Sequence, residues 1–252
     1  MDLIQLVVIF CVSVISSSFG TLVGGSSLIT IPLLILMGLP PHTAIGTDRI
    51  GTTGINLAGL HSFHSKGMMQ YRLAFIIGIP CFMGGIIGAN LALQVTPYLL
   101  KKFVVALSVL LLIFVVANPR LGVESMSEKS AKTPGRYILG AFLSLLAGIY
   151  GGFYGAGMGT MISYILIFVF YQTFLESAAN MKIAGLLMSA SSAVTYACHG
   201  AVHVPLGLAM FAGCCIGSYA GAHYSDRIGN AWIKRIFIGI VLIMVVKLLI
   251  DA

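Results

Sequence analysis

The chain has 252 residues, of which 58% are hydrophobic and only 8% charged, with a formal net charge of +7. A soluble domain carries about 25% charged residues, so the composition excludes one. Apolar stretches of about 20 residues, the length that crosses a bilayer, recur along the sequence, and the period-two alternation of a membrane barrel is absent, so the expected fold class is an all-α polytopic membrane protein.

In chain order, the first apolar segment, Leu3–Ile15, follows Asp2 rather than a basic stretch, and reads as a retained helix rather than a cleaved signal. Hydropathy peaks fall at about 3–38, 44–64, 72–92 and 99–118, then at about 137–171, 177–199, 205–225 and 232–250. The polar stretch 119–136, with Glu124, Glu128, Lys129, Lys132, Pro134 and Arg136, is the one clear linker. It divides a first transmembrane repeat, 1–118, from a second, 137–252.

The halves align without a gap at an offset of 133 residues, 24–118 on 157–251. Gly24 falls on Gly157, Gly67 on Gly200, Gly88-Ala89 on Gly221-Ala222, Lys101-Lys102 on Lys234-Arg235, and Arg49 on Lys182. The first peak of each half is too long for one helix, since residues 3–38 would extend ~54 Å against ~30 Å of hydrocarbon. Glycines interrupt both peaks and free the backbone to turn: Gly20 and Gly24-Gly25-Ser26-Ser27 in one, Gly151-Gly152, Gly155, Gly157 and Gly159-Thr160 in the other. Each peak is expected to be a helix, a break and a short helix, at about 27–38 and 160–171, the first stopped by Pro40-Pro41.

If the short helix re-enters, each half has four crossings and the repeats are parallel; if it counts as a crossing, each half has five and the repeats are inverted. Five passes place Lys66, Arg72, Arg120, Lys129, Lys132, Arg136, Arg227, Lys234 and Arg235 on one face, and only Lys101, Lys102 and Lys247 on the other. The positive-inside rule then makes the former face cytoplasmic. The count favours five passes and inverted repeats, while the alignment of Lys101-Lys102 with Lys234-Arg235 argues for the parallel arrangement.

Charge in membrane-spanning sequence is costly and marks function by default. Arg49, in Ala44-Ile45-Gly46-Thr47-Asp48-Arg49, and Lys182, in Ala178-Ala179-Asn180-Met181-Lys182, are such cations. A helix opening after glycines presents unpaired N–H groups and the positive end of its dipole, which suits an anion. The candidate substrate-binding set is therefore Gly24, Gly25, Ser26, Ser27, Thr47 and Arg49, with Gly157, Gly159, Thr160, Asn180 and Lys182. Asp48 is the candidate for coupling to protons, because burial and Arg49 act on it in opposite senses. The competing readings are close helix packing for the glycines, snorkelling for the cations, and a structural ion pair for Asp48 with Arg49.

His61 with His64 and His199 with His203 share helical faces, but no Cys, Asp or Glu joins them, so no metal is expected. The five cysteines lie in apolar segments without a C-x-x-C pair. Gly84-x3-Gly88 and Gly217-x3-Gly221 read as close-packing motifs. No hydrolase or P-loop signature occurs, so no enzyme and no cofactor is expected.

The glycine run Gly24-Gly25, Pro32, and Ala44-Ile45-Gly46-Thr47, with a looser second copy (Gly157, Gly159, Ser177 and Asn180), resembles the TauE/SafE family, the sulfite exporters. The likeness covers essentially the whole chain. It implies a multi-pass protein of the inner membrane that carries sulfur oxyanions or organosulfonates, usually outward. Asp48-Arg49 is more charged than the family pattern. The expected function is a secondary transporter of a small anion, with sulfite or an organosulfonate first, through a site at the repeat interface. The alternatives are an anion channel, or a carrier of a carboxylate or another sulfur compound. The expected partners are the anionic substrate and membrane lipid, not nucleic acid; a homo-oligomer is compatible with the sequence.

Overall fold

The structure, a computed structural model, describes residues 3–100, 102–103 and 134–224. Their regular elements are helices: α1 Leu3–Val23, α2 Ser27–Leu36, α3 Pro41–Ser65, α4 Tyr71–Gln94, α5 Pro134–Phe153, α6 Met158–Phe170, α7 Phe174–Cys198 and α8 Val204–His223. The expected helices over 99–118 and 232–250, and the linker up to residue 133, lie largely or wholly outside the described residues, as do Lys101, Lys234 and Arg235.

Local chemistry sets the ends of these helices. Gly24 and Gly25 take φ of 79° and 88°, and Gly155 and Gly157 take 80° and 77°. Side chains are strained in that region and glycine is not, so the chain turns there and opens α2 and α6. Pro41 begins α3 at a position that needs no N–H donor. Thr173 and Glu176 form a reciprocal capping box at the start of α7.

Four helices, α1, α4, α5 and α8, are long and apolar enough to cross a membrane. Their outward faces carry large apolar side chains, among them Val7, Ile15, Phe75, Ile79, Phe142 and Leu208. The polar groups are inside instead: Thr47, Asp48, Arg49, Asn180, Lys182 and Ser189 are all buried. They sit on α3 and α7, each 25 residues long, or about 38 Å at 1.5 Å per residue. This polarity, apolar outside and polar inside, is that of a multi-pass membrane protein.

The helix directions follow from which residues meet. Along α1 and α8, Gly213 meets Phe10, Gly217 meets Val14, and Gly221 meets Ser18, so the pair is parallel. Along α4 and α5, Gly84 meets Leu145 and Gly148, and Gly88 meets Ile149 and Phe153, again parallel. In both pairs the glycines of the x3 motifs meet neighbouring backbone, the close approach that small residues permit. α3 runs parallel to α8, through Gly51 at Met210 and Gly54 at Phe211 and Cys215. α4 runs parallel to α7, through Gly78 at Ile183 and Gly85 at Met188 and Ser192.

The central pair differs. Thr53 bonds Ser189, Asn56 lies at Gly185, and Gly59 at Lys182, so α3 and α7 are antiparallel. α1, α3 and α8 therefore run one way, and α4, α5 and α7 the other. Since α1 and α3 share a direction, the stretch containing α2 returns the chain to the end where α1 began; α6 does the same between α5 and α7. At about 15 Å and 20 Å, α2 and α6 would cover roughly half and two thirds of the ~30 Å hydrocarbon.

One end of the bundle gathers Lys66, which donates to the Ala222 carbonyl, and Arg136, which donates to Val169 and Tyr171. Gln172 meets Gln70 at this end. The opposite end holds the start of α3 and the segment after α7, where Gly46 packs against Ala201. In chains with Cys11 and Cys198 replaced by Ala, Ser65→Cys and His199→Cys should be labelled from opposite sides by a membrane-impermeant maleimide. Labelling of both from one side would contradict the antiparallel α3–α7 pair.

Candidate functional site

A helix that ends inside a protein leaves its last four carbonyls without partners, and a buried polar group left unsatisfied costs about 1–3 kcal/mol. α5 ends this way, at buried Gly151, Gly152 and Tyr154, and its carbonyls can be accounted for in turn. The Tyr150 carbonyl accepts from the N–H groups of Tyr154 and Gly155. The Gly151 carbonyl accepts from Arg49 Nη1 at 3.2 Å. The Gly152 carbonyl accepts from the Tyr196 hydroxyl at 3.0 Å, and that hydroxyl lies 3.5 Å from the Phe153 carbonyl. Just beyond the helix, Arg49 Nη2 donates to the Tyr154 carbonyl at 3.2 Å.

The other buried cation does the same job in the other half. Lys182 Nζ donates to the Thr21 carbonyl, in the last turn of α1, at 2.5 Å. The 133-residue offset that carries Arg49 onto Lys182 also carries Thr21 onto Tyr154. Each cation thus sits on the negative end of a helix dipole belonging to the opposite half, where a cation is favoured. Both are 1% exposed.

The two cations differ in their compensation. Arg49 Nη2 lies 2.6 Å from Asp48 Oδ2. Asp48 also accepts from the Ser27 hydroxyl at 2.8 Å and from the Thr30 hydroxyl, both in the first turn of α2. A carboxylate there meets the positive end of that helix, so Asp48 links α2, α3 and Arg49. Among the described residues Lys182 has no carboxylate partner. Arg49 Nε is buried with no hydrogen-bond partner. A buried ion pair roughly offsets its own desolvation, whereas a buried charge left without its partner costs about 3–5 kcal/mol. The imbalance therefore lies on the Lys182 side.

Between the two breaks is a cavity of about 50 Å³, room for roughly three or four water-sized groups at 10–15 Å³ each. Of the residues singled out in the sequence, Gly24, Gly25, Ser26, Ser27 and Arg49 line it from the first half, and Gly159 and Lys182 from the second. The breaks touch directly: a Cβ on Gly24 would run into Thr160, and one on Gly159 would lie 3.2 Å from the Gly24 Cα.

Five expected site residues are not among the cavity's lining: Asp48, whose contacts are given above, and Thr47, Gly157, Thr160 and Asn180. Thr47 accepts from the His203 N–H at 2.9 Å, at the start of α8. Asn180 accepts from the Gln70 N–H at 2.7 Å, at the start of α4. They cap helices of the opposite half, and the same offset relates the two contacts. Gly157 supplies the left-handed turn before α6. Thr160 packs against Gly24.

Residues the sequence reading passed over include Thr52, Asn56 and Met181, which line the cavity, and Tyr196. Arg49, Thr52 and Asn56 fall at intervals of three and four, one face of a helix. That polar stripe in an apolar segment was a readable signal. Tyr196 offered none, because its hydroxyl serves a carbonyl 44 positions away. The histidine pairs are apart from the cavity: His64 meets Tyr71, and His203 caps Leu206. Among the described residues no three His, Cys, Asp or Glu side chains converge on a metal position.

Gly155 and Gly38 separate crowding from backbone strain. Both have positive φ, but a Cβ on Gly155 would overlap the Arg49 guanidinium, whereas one on Gly38 meets nothing. Each Ala substitution incurs the strain of that region, about 1–3 kcal/mol. Gly155→Ala should lower the melting temperature in detergent clearly more than Gly38→Ala. Equal shifts would show that Arg49 is not held tightly on the end of α5.

Comparison with known proteins shows a family of membrane transporters. The sequence model described as Sulfite exporter TauE/SafE matches residues 8–248. A Haemophilus influenzae protein named a probable membrane transporter is 27% identical over 98% of this chain and 95% of its own length. A Sinorhizobium protein, probable membrane transporter protein ORF9, is 26% identical over 96% of this chain and 92% of its own. Bacillus subtilis YdhB, also named a probable membrane transporter, is 23% identical, covering 91% and 92%. No solved structure matches. The chain belongs to the TauE/SafE family of membrane transporters.

Proposed function

We propose that the chain is a secondary carrier of a small anion, sulfite or an organosulfonate, bound between two inverted repeats in the inner membrane. The observation that carries this reading is the cavity that holds both buried cations, Arg49 and Lys182, between the glycine breaks of the two halves. With Arg49 and protonated Lys182 positive and Asp48 negative, this centre holds one positive charge more than it neutralises, which suits a singly charged anion such as hydrogensulfite or a sulfonate. The cavity size of about 50 Å³ suits an oxyanion with few heavy atoms. The family's name supports the sulfur chemistry.

The inverted-repeat reading is supported by two observations. α3 and α7, related by the 133-residue offset, run antiparallel. The cross-half contacts occur in matched pairs, Arg49 to Tyr154 with Lys182 to Thr21, and His203 to Thr47 with Gln70 to Asn180. Inverted repeats suit alternating access, because exchanging the conformations of two like halves turns an outward-open state into an inward-open one.

Transport by purified protein in proteoliposomes tests the reading. Sulfite should accumulate against its gradient when an ion gradient is imposed, which a channel cannot achieve. Removing a charge-assisted hydrogen bond costs about 1.5–3 kcal/mol, or roughly tenfold to hundredfold in affinity. Arg49→Gln and Lys182→Gln should each weaken sulfite binding by that factor. If Arg49 serves only Asp48, the double variant Asp48→Asn/Arg49→Gln would bind normally, and calorimetry showing this would remove Arg49 from the site.

A further inference from the structure

The two halves end their breaks differently, and the difference points to one anion position rather than two. The offset carries Asp48 onto Met181, and Thr30 onto Ser163. In the first half, Thr30 donates to the Asp48 carboxylate beside the first turn of α2. In the second, Ser163 donates to the Met181 thioether at 3.1 Å, and that sulfur would lie 3.5 Å from a Cβ on Gly159, in the first turn of α6. The first half therefore carries its own anion at the opening of its short helix, next to its cation. The second half has the cation and the helix opening, but a neutral thioether where the carboxylate would be.

Resting on the carrier reading above, we infer that the transported anion binds at the N-terminal turn of α6 against Lys182, as the counterpart of the Asp48 carboxylate at α2. Three observations besides the helix end support this. Lys182 is 1% exposed, lines the cavity, and meets the Thr21 carbonyl; an ammonium has three N–H donors, which leaves two for a ligand. Arg49, also lining the cavity, keeps a buried Nε donor with no partner. Met181 is 4% exposed and forms part of the cavity wall, so a group replacing its sulfur would enter the same space. Asp48 then has a defined role. It is a fixed anion that holds the α2 opening closed to ligand, so that one anion, not two, is taken per chain.

The test supplies the second half with the carboxylate it lacks. Met181→Asp would place an acid next to Lys182, as Asp48 lies next to Arg49, with Ser163 able to donate to it. Binding is read by calorimetry in detergent, with sulfite and methanesulfonate as probes and the melting temperature as the check on folding. The wild-type chain should bind one anion. Met181→Asp should lose at least tenfold in affinity for both probes while remaining folded, and the uncharged control Met181→Asn should stay within about threefold of wild type. Lys182→Met should also lose at least tenfold. Wild-type affinity in folded Met181→Asp or in Lys182→Met would overturn the inference while leaving an anion carrier with its site elsewhere. Two equivalent sites in the wild type would overturn it without any variant. If Met181→Asp does not fold, Lys182→Met and the wild-type stoichiometry decide. No binding of either probe to the wild type would overturn the carrier reading itself, and this inference with it.

Discussion

The arrangement depends on the end of one broken helix being closed by a cation from the opposite half. A helix end buried away from water leaves carbonyls that need partners within the protein. Arg49 and Tyr196 serve the end of α5, and Lys182 serves the end of α1. Each half thus supplies a cation to a helix end of the other. The result is a polar interior held by contacts between halves as well as within them, those of Asp48 with Ser27, Thr30 and Arg49 among the latter.

That constraint also fixes where a ligand can go. Cations placed on helix ends cannot snorkel to the membrane surface, so their remaining donors stay in the interior. Asp48, held by the Ser27 and Thr30 hydroxyls, neutralises the charge of Arg49. Lys182 has a carbonyl but no acid among the described residues. The side chains that look most chemical in the sequence thus divide their work. Part of each cation maintains the break, and part faces the cavity.

Much of this was legible in the chain because membranes restrict the options. Low charge and long apolar runs give the class, and the glycine pairs with positive φ mark the breaks at Gly24-Gly25 and at Gly155 and Gly157. Arg49 and Lys182 stand out because ionised groups are rare in such segments. What the sequence did not show lies where a side chain's partner is far away along the chain. Thr47 and Asn180, read as ligand contacts from their places beside the cations, accept from N–H groups at the starts of α8 and α4. The N–H groups they serve are 156 and 110 positions away, and no local pattern announces them. Met181 differs: the 133-residue offset places it opposite Asp48 in the sequence itself, but its contact with Ser163 shows only in the structure.

The central claim is that one monovalent anion occupies the cavity between Lys182 and the opening of α6. Crystals soaked in sodium bromide, measured at the bromine absorption edge, test it directly, because bromide is a small singly charged anion that scatters anomalously. The account predicts one strong anomalous peak per chain within the cavity, beside Lys182 Nζ and the first turn of α6, and its disappearance when sulfite is added in excess. A peak beside Ser27 and Thr30 at the opening of α2, or bromide confined to the outer surface with the cavity empty, would contradict it.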